Sequence, residues 1–150
     1  MLRLLPALAA LGLIFAACGS NPEANSGGDA YRNAAEPMPL DEWVAGDLDA
    51  DNGDTTDWKS VDIAGAGRIN VEFNADDKDA VVVVSVYDRY GYKIGAVKRP
   101  SGASGPVATV AKAKGSGKHF VRIQQRSGSP TAYSVRVTTG SSSGTPTPDF

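Results

Sequence analysis

Cysteine, histidine and helical periodicity are what this 150-residue chain is short of, and each shortage removes a class of function. A single cysteine, Cys18, permits no intramolecular disulfide, so the fold must stand on its core alone. A single histidine, His119, leaves zinc without its usual ligands and allows a Ser-His-Asp arrangement only if His119 supplies the base. The alternation around His119 places its side chain on the same strand face as Val121 and Ile123, where it is expected to be packed rather than reactive. No HExxH or Walker sequence occurs, and the one G-x-S-x-G match, "GSSSG" at 140–144, lies in the Ser- and Gly-rich tail and makes no nucleophile elbow. The "GAGR" at 65–68 reads as a turn between strands, without the following helix that a phosphate loop needs. Carboxylates are abundant, but they crowd one stretch instead of facing each other from strands, as a glycosidase pair would. The chain is therefore expected not to be an enzyme.

Long hydrophobic runs are also scarce. The one candidate, Leu4 to Phe15 after Arg3, is about 12 residues long against the roughly 20 that a spanning helix requires. It is followed by Ala16-Ala17-Cys18-Gly19, small residues before a cysteine, and so reads as an export signal over 1–17. The segment resembles a bacterial lipoprotein signal, with Phe15 where leucine usually stands. That resemblance makes Cys18 the lipidation site, carrying palmitate among its acyl chains, and makes the membrane a partner through that lipid. Gly19 after the cysteine implies release to the outer membrane. Residues 18–36 are small and polar and are expected to form a flexible tether, and 141–150 ("SSSGTPTPDF") a disordered tail.

Between them, over 37–140, the apolar period is two. Ile69, Val71 and Phe73 alternate with Asn70 and Glu72, and Tyr133, Val135 and Val137 with Ser134 and Arg136. "AVVVVSVYD" is apolar on both faces, as an interior strand is. Further strands are expected at 43–48, 57–63, 92–98, 107–112 and 119–124, separated by turns rich in Gly, Asp, Asn, Ser and Pro. About eight short strands predict an all-β, antiparallel β-sandwich, with a closed barrel as the alternative.

The succession "TTDWKSVDIAGAGRINVEF", "VVVVSVYDRYGYKIGAV" and "GSGKHFVRIQQRSGSPTAYSVRV" resembles the bacterial pre-peptidase C-terminal domain, a jelly-roll-like sandwich. Asp57-Trp58, Tyr87-Asp88 with Gly91, Gly117 before His119 to Ile123, and Tyr133 carry the likeness. Thr55 and Lys59 depart from it, and both departures weaken any carry-over of metal binding. The resemblance implies a binding module without catalysis. On an anchored chain this would be an envelope lipoprotein serving a protein assembly, or, alternatively, a calcium-stabilised carbohydrate-binding or adhesion module.

Calcium enters through "GDLDADNGDTTDW" at 46–58. Asp47, Asp49 and Asp51 alternate like the first ligands of an EF-hand, but Asn52 stands at the glycine position and Trp58 where the last glutamate belongs. No cofactor is required on this reading, and calcium, if bound, is expected on Asp51, Asn52, Asp54 and Asp57. Charge is uneven as well. Sixteen acidic residues face four basic ones over 19–88, whereas 89–150 holds ten basic and one acidic. Tyr90, Tyr92, Lys93, Lys98, Arg99, Lys112, Lys114 and Lys118 are expected to form a basic, partly aromatic surface for an acidic polysaccharide or an envelope protein. Nucleic acid is a poor partner for an exported chain of net charge −2.

Overall fold

The structure, a computed structural model, describes residues 21–140, and these form two packed β-sheets. A 3-10 turn at Arg32–Ala34 leads into nine strands: β1 (Glu36–Pro37), β2 (Trp43–Leu48), β3 (Thr56–Ile63), β4 (Gly67–Ala75), β5 (Val81–Tyr87), β6 (Lys93–Arg99), β7 (Val107–Ala113), β8 (Gly117–Ser127) and β9 (Thr131–Gly140). One sheet runs β1-β3-β8-β5-β6 and the other β2-β9-β4-β7. All pairings are antiparallel except the two-residue β1, which lies parallel to β3. Sequential strands switch sheets, except for the β5–β6 hairpin, so the crossover topology is jelly-roll-like, and the predicted sandwich is observed.

Period-two patterning decides which residues meet between the sheets. Ile69, Val71 and Phe73 from β4, Val135 and Val137 from β9, Val82 and Val84 from β5, and Val121 and Ile123 from β8 are all fully buried. A polar contact also crosses the core. The Tyr133 hydroxyl, from one sheet, donates to Asp57 Oδ2 on β3 of the other, and the Tyr133 ring packs on Phe73 at 5.5 Å. Gly46 on β2 leaves room for that ring, because a Cβ there would collide with it.

The expected tether is corrected over residues 21–36. Ser26 and Ala30 are buried, Asn25 N–H donates to Gly53 O (2.7 Å), Trp58 N–H donates to Asp29 O (2.9 Å), and Lys59 pairs with Asp29 (3.2 Å) and Glu36 (2.5 Å). The polar composition misled because this segment is held by backbone hydrogen bonds and ion pairs and buries little apolar surface. Residues 18–20, the signal at 1–17 including the approach to Cys18, and the tail at 141–150 lie outside the described residues.

The loops divide between the two ends of the sandwich. Arg99 Nη1 donates to Asp77 O and Ala80 O, and Nη2 to Ala103 O, which ties loops 76–80 and 100–106 together. Gln125 receives Ala50 N–H and donates to Ser129 O, bringing 49–55 and 128–130 to the same end. At the opposite end lie 64–66, 88–92 and 114–116, joined by Arg89 Nη1 donating to Ser116 O (2.8 Å).

Candidate functional site

That division sorts the charge. The 49–55 and 76–80 loops carry Asp49, Asp51, Asp54, Asp76, Asp77 and Asp79 against Lys78, and Glu23 and Asp29 of the N-terminal segment pack at the same end. At the other end Arg89 and Lys114 stand against Asp88, with Arg68, Lys93, Lys112 and Lys118 against Asp62 at the adjoining strand ends. Turns from both halves of the sequence reach both ends, but the acidic 49–55 and 76–80 share theirs with the uncharged 100–106 and 128–130.

The basic pole is built around the β5–β6 turn. Asp88 Oδ1 accepts from Tyr90 N–H (2.9 Å) and Tyr92 N–H (2.8 Å), and Asp88 N–H donates to Tyr92 O (2.9 Å). An aspartate placed in this way closes its own turn. Gly91 takes the left-handed backbone (φ 92°) that the turn needs, and a Cβ there would strike the Arg32 guanidinium. The turn projects Tyr90 and Tyr92 into solvent, 69% and 72% exposed. The Arg89 guanidinium lies 4.8 Å from the Tyr90 ring centroid. Asp88, Arg89, Tyr90, Tyr92, Lys114, Gly115 and His119 enclose a cleft of about 220 Å³. His119 forms its floor, 2% exposed, with Nδ1 2.9 Å from Gly117 O, as the packed reading expects. Two exposed tyrosine rings, Tyr90 with Arg89 over it, and the cations Arg89 and Lys114 make a surface for a flat, negatively charged ligand.

The predicted basic face is only partly assembled. Lys93 and Lys98 are exposed on β6 and Lys118 at the start of β8, all in the five-stranded sheet, whereas Lys112 projects from β7 of the other. Arg99 is a correction: it is 1% exposed, and its guanidinium donates to four carbonyls, Ala75, Asp77, Ala80 and Ala103 (2.8 to 3.1 Å). It faces inward because Arg99 pairs with Val82, a core position, one residue on from the outward Lys98. The sequence reasoning missed Arg89, although "DRYGY" holds the Asp-to-turn signal that places it beside the tyrosines.

The calcium quartet is corrected as well. Asp57 turns into the sandwich toward Tyr133, Asp51 is exposed, and the Asn52 side-chain amide is used by Asp49 Oδ2 (2.5 Å). Among the described residues no three acidic, histidine or cysteine side chains converge as metal ligands. The Asp54 carboxyl instead sits among like charges. Burial first, then Asp29, Asp47, Glu23 and Asp49, push its pKa up to about 6. Burial raises Asp57 to about 7, with the Tyr133 hydrogen bond and Lys59 opposing and Asp29 adding to the rise. Burial works against the Lys59 ammonium, but Glu36, Asp57 and Asp29 outweigh it and its pKa goes up.

No protein-family model matches the chain, and neither does any curated protein. Among solved structures the chain is similar to the pre-peptidase C-terminal domain of collagenase from Bacillus anthracis, at 18% identity and a TM-score of 0.57, over 69% of this chain and 93% of that one. It also aligns with a carbohydrate-binding module of Cellvibrio mixtus lichenase 5A in complex with cellotriose, at 16% identity and a TM-score of 0.41, over 55% of this chain and 70% of that one. The first likeness supports the pre-peptidase-like fold that the sequence pattern resembles.

Proposed function

We propose that this protein is a non-catalytic, lipid-anchored module of the bacterial envelope that binds a negatively charged polymer, an acidic polysaccharide, at its basic pole. The observation that carries the reading is the segregation of charge to opposite ends, with Tyr90 and Tyr92 projecting at the basic one. Exposed rings and flanking cations suit a sugar face and its carboxylate, and the field of the pole would steer such a polymer inward. The lack of catalysis is supported by His119, which is packed on its strand with Nδ1 engaged by Gly117 O.

Anchoring on Cys18 gives the module a direction. Asn21 lies at the acidic pole, against Gly53, and is three residues beyond Cys18. An extended chain spans at most about 3.6 Å per residue, so a lipid on Cys18 would hold the acidic pole within roughly 10 Å of an outer-membrane surface. The tyrosines would then point away from it.

Polygalacturonate immobilised on beads tests the reading. The wild-type protein should be retained at low salt and released as salt rises, and Tyr90→Ala combined with Tyr92→Ala should weaken retention by about tenfold or more. Equal retention of the double variant would refute the site. Recovery of a single envelope protein from native membranes, with no retention on the polymer, would support the scaffold role in its place. Radiolabelled palmitate should enter the wild-type chain and not Cys18→Ser; equal labelling of both would remove the anchor.

A further inference from the structure

The outer face of the five-stranded sheet continues from the basic pole and is organised in rows across the strands. Trp58 (β3), Arg122 (β8), Ser85 (β5) and Ala96 (β6) occupy one row, since Trp58 pairs with Arg122, Arg122 with Ser85, and Ser85 with Ala96. Thr56, Gln124, Val83 and Lys98 form the next row away from the pole, and Ser60, Phe120, Tyr87 and Lys93 the row nearer to it. All project away from the core, because their neighbours along each strand, such as Val84, Val121 and Ile123, are the core residues.

In the middle of this face Trp58 and Tyr87 touch across β8, with ring centroids 5.0 Å apart and planes tilted by 43°. The Arg122 guanidinium lies 5.8 Å from the Trp58 ring and 5.7 Å from that of Tyr87. Around this cluster, three polar atoms are buried without a hydrogen-bond partner: Arg122 Nε, Ser85 Oγ and Gln124 Oε1. Ser85 is wholly inaccessible, although its side chain points out of the sandwich. Buried polar groups are nearly always paired, so three neighbours left open together on one outer face mark a place built for something else to complete. The charge on the face says what that is. Lys93, Lys98, Lys118, Arg122 and Arg126 share it with Asp62 alone among strand residues.

We infer that this face is a second contact for the same polymer: a uronic-acid chain held at the Tyr90–Tyr92 cleft continues over Tyr87 and Trp58 and presents a carboxylate to Arg122. The inference rests on the polysaccharide reading of the basic pole and extends it from an end to a track. A guanidinium meets a carboxylate with two parallel N–H bonds, and Arg122 makes no side-chain hydrogen bond within the described residues, its Nε being buried and unpaired. Lifting Arg122 toward the ligand also uncovers Ser85 Oγ for a sugar hydroxyl. The Trp58 and Tyr87 rings supply the flat apolar surface on which a pyranose lies.

The test uses the full chain carrying Trp43→Phe, so that Trp58 is the only tryptophan and its emission reports on this face. Polygalacturonate should shift Trp58 emission saturably, whereas fully methyl-esterified pectin and polyaspartate should not. Arg122→Lys keeps the charge and removes the fork, and should weaken polygalacturonate binding by about tenfold. Gln124→Ala is a milder second variant, expected to weaken binding less. Retention that depends on Tyr90 and Tyr92 but leaves Trp58 emission and Arg122→Lys affinity unchanged would overturn the track and keep the cleft. An equal response to polyaspartate would overturn the glycan as its occupant. No retention of the wild-type chain would overturn both readings.

Discussion

Replacing Asp57 by Asn removes a carboxylate whose burial between the sheets is offset only in part. Asp57 is 6% exposed and accepts from the Tyr133 hydroxyl, and its pKa is raised from 3.8 to about 7. A raised carboxyl pKa means that the folded state holds its proton more tightly than the unfolded chain does. The stabilising contribution is therefore complete below about pH 4 and is lost as pH rises through about 7. A shift of about three pH units corresponds to about 4 kcal/mol at most, and screening and local relaxation bring the expected effect to about 2–4 kcal/mol. Asn keeps the shape and an oxygen for Tyr133 but cannot ionise. The variant should match the wild type near pH 4 and exceed its stability by about 2–4 kcal/mol near pH 8.

Urea unfolding of both proteins at several pH values, in the presence of a chelator, gives the comparison. The difference between them is the quantity to read, because titrations common to both proteins cancel in it. A difference independent of pH, or an Asn variant less stable than the wild type near pH 8, would refute the account of Asp57. Repeating the series with about 1 mM calcium separates the metal question from the proton question, since extracellular sites of this kind bind weakly. An ion held by the acidic pole needs ionised carboxylates, so it would stabilise the wild type near pH 8 and not near pH 4.

Two further predictions concern the frame that positions the poles. Arg99→Ala should destabilise by about 3–5 kcal/mol in chemical unfolding, because it leaves the buried carbonyls of Ala75 and Ala80 without donors and unties two loops; a loss below about 1 kcal/mol would return Arg99 to the surface role the sequence implied. Phe73→Ala should cost about 3–5 kcal/mol by the same measurement, since Phe73 is fully buried and packs on Tyr133, and an unchanged midpoint would refute the register of β4.

Most of the sandwich was readable because a half-buried strand writes its orientation into every second residue. β4, β8 and β9 lie where alternation placed them, and the doubly apolar "VVVVSVY" is an interior strand paired on both sides. β1 was not readable. It has two residues, is exposed on both, and exists because Lys59 draws in Glu36 and Asp29 across a distance in sequence that no local pattern records. Arg99 failed for a related reason. A positive charge in a turn-flanking position reads as solvent-facing, and only the register against Val82 reveals that four carbonyls wait for it. The candidate site was half legible: the tyrosines and lysines of 90–93 could be named, but the Trp58–Arg122–Tyr87 cluster unites residues from three strands whose adjacency belongs to the topology.

The charge asymmetry of the sequence has a structural meaning that the strand order alone would not give. Successive turns alternate between the two ends, so an acidic first half and a basic second half would mix if every turn carried charge. Six of the sixteen acidic residues of the first half lie in the 49–55 and 76–80 loops, and the second-half loops at that same end, 100–106 and 128–130, carry no charged residue at all. The basic residues of the second half accumulate in the turns and strand ends of the opposite pole, where the first-half turn 64–66 is uncharged. The acidic turns are thus left undiluted by the second-half turns beside them, while at the basic end Arg68, Asp62 and Asp88 of the first half join the second-half cations. A field arranged in this way acts on orientation and encounter rather than on stability, and it predicts that reversing the sign at Arg89 and Lys114 to Glu should slow association with an anionic polymer more than it speeds release. Stopped-flow mixing with polygalacturonate reads that split directly. A change confined to the release rate would mean that these cations act only as local contacts and that the polarity has no part in capture.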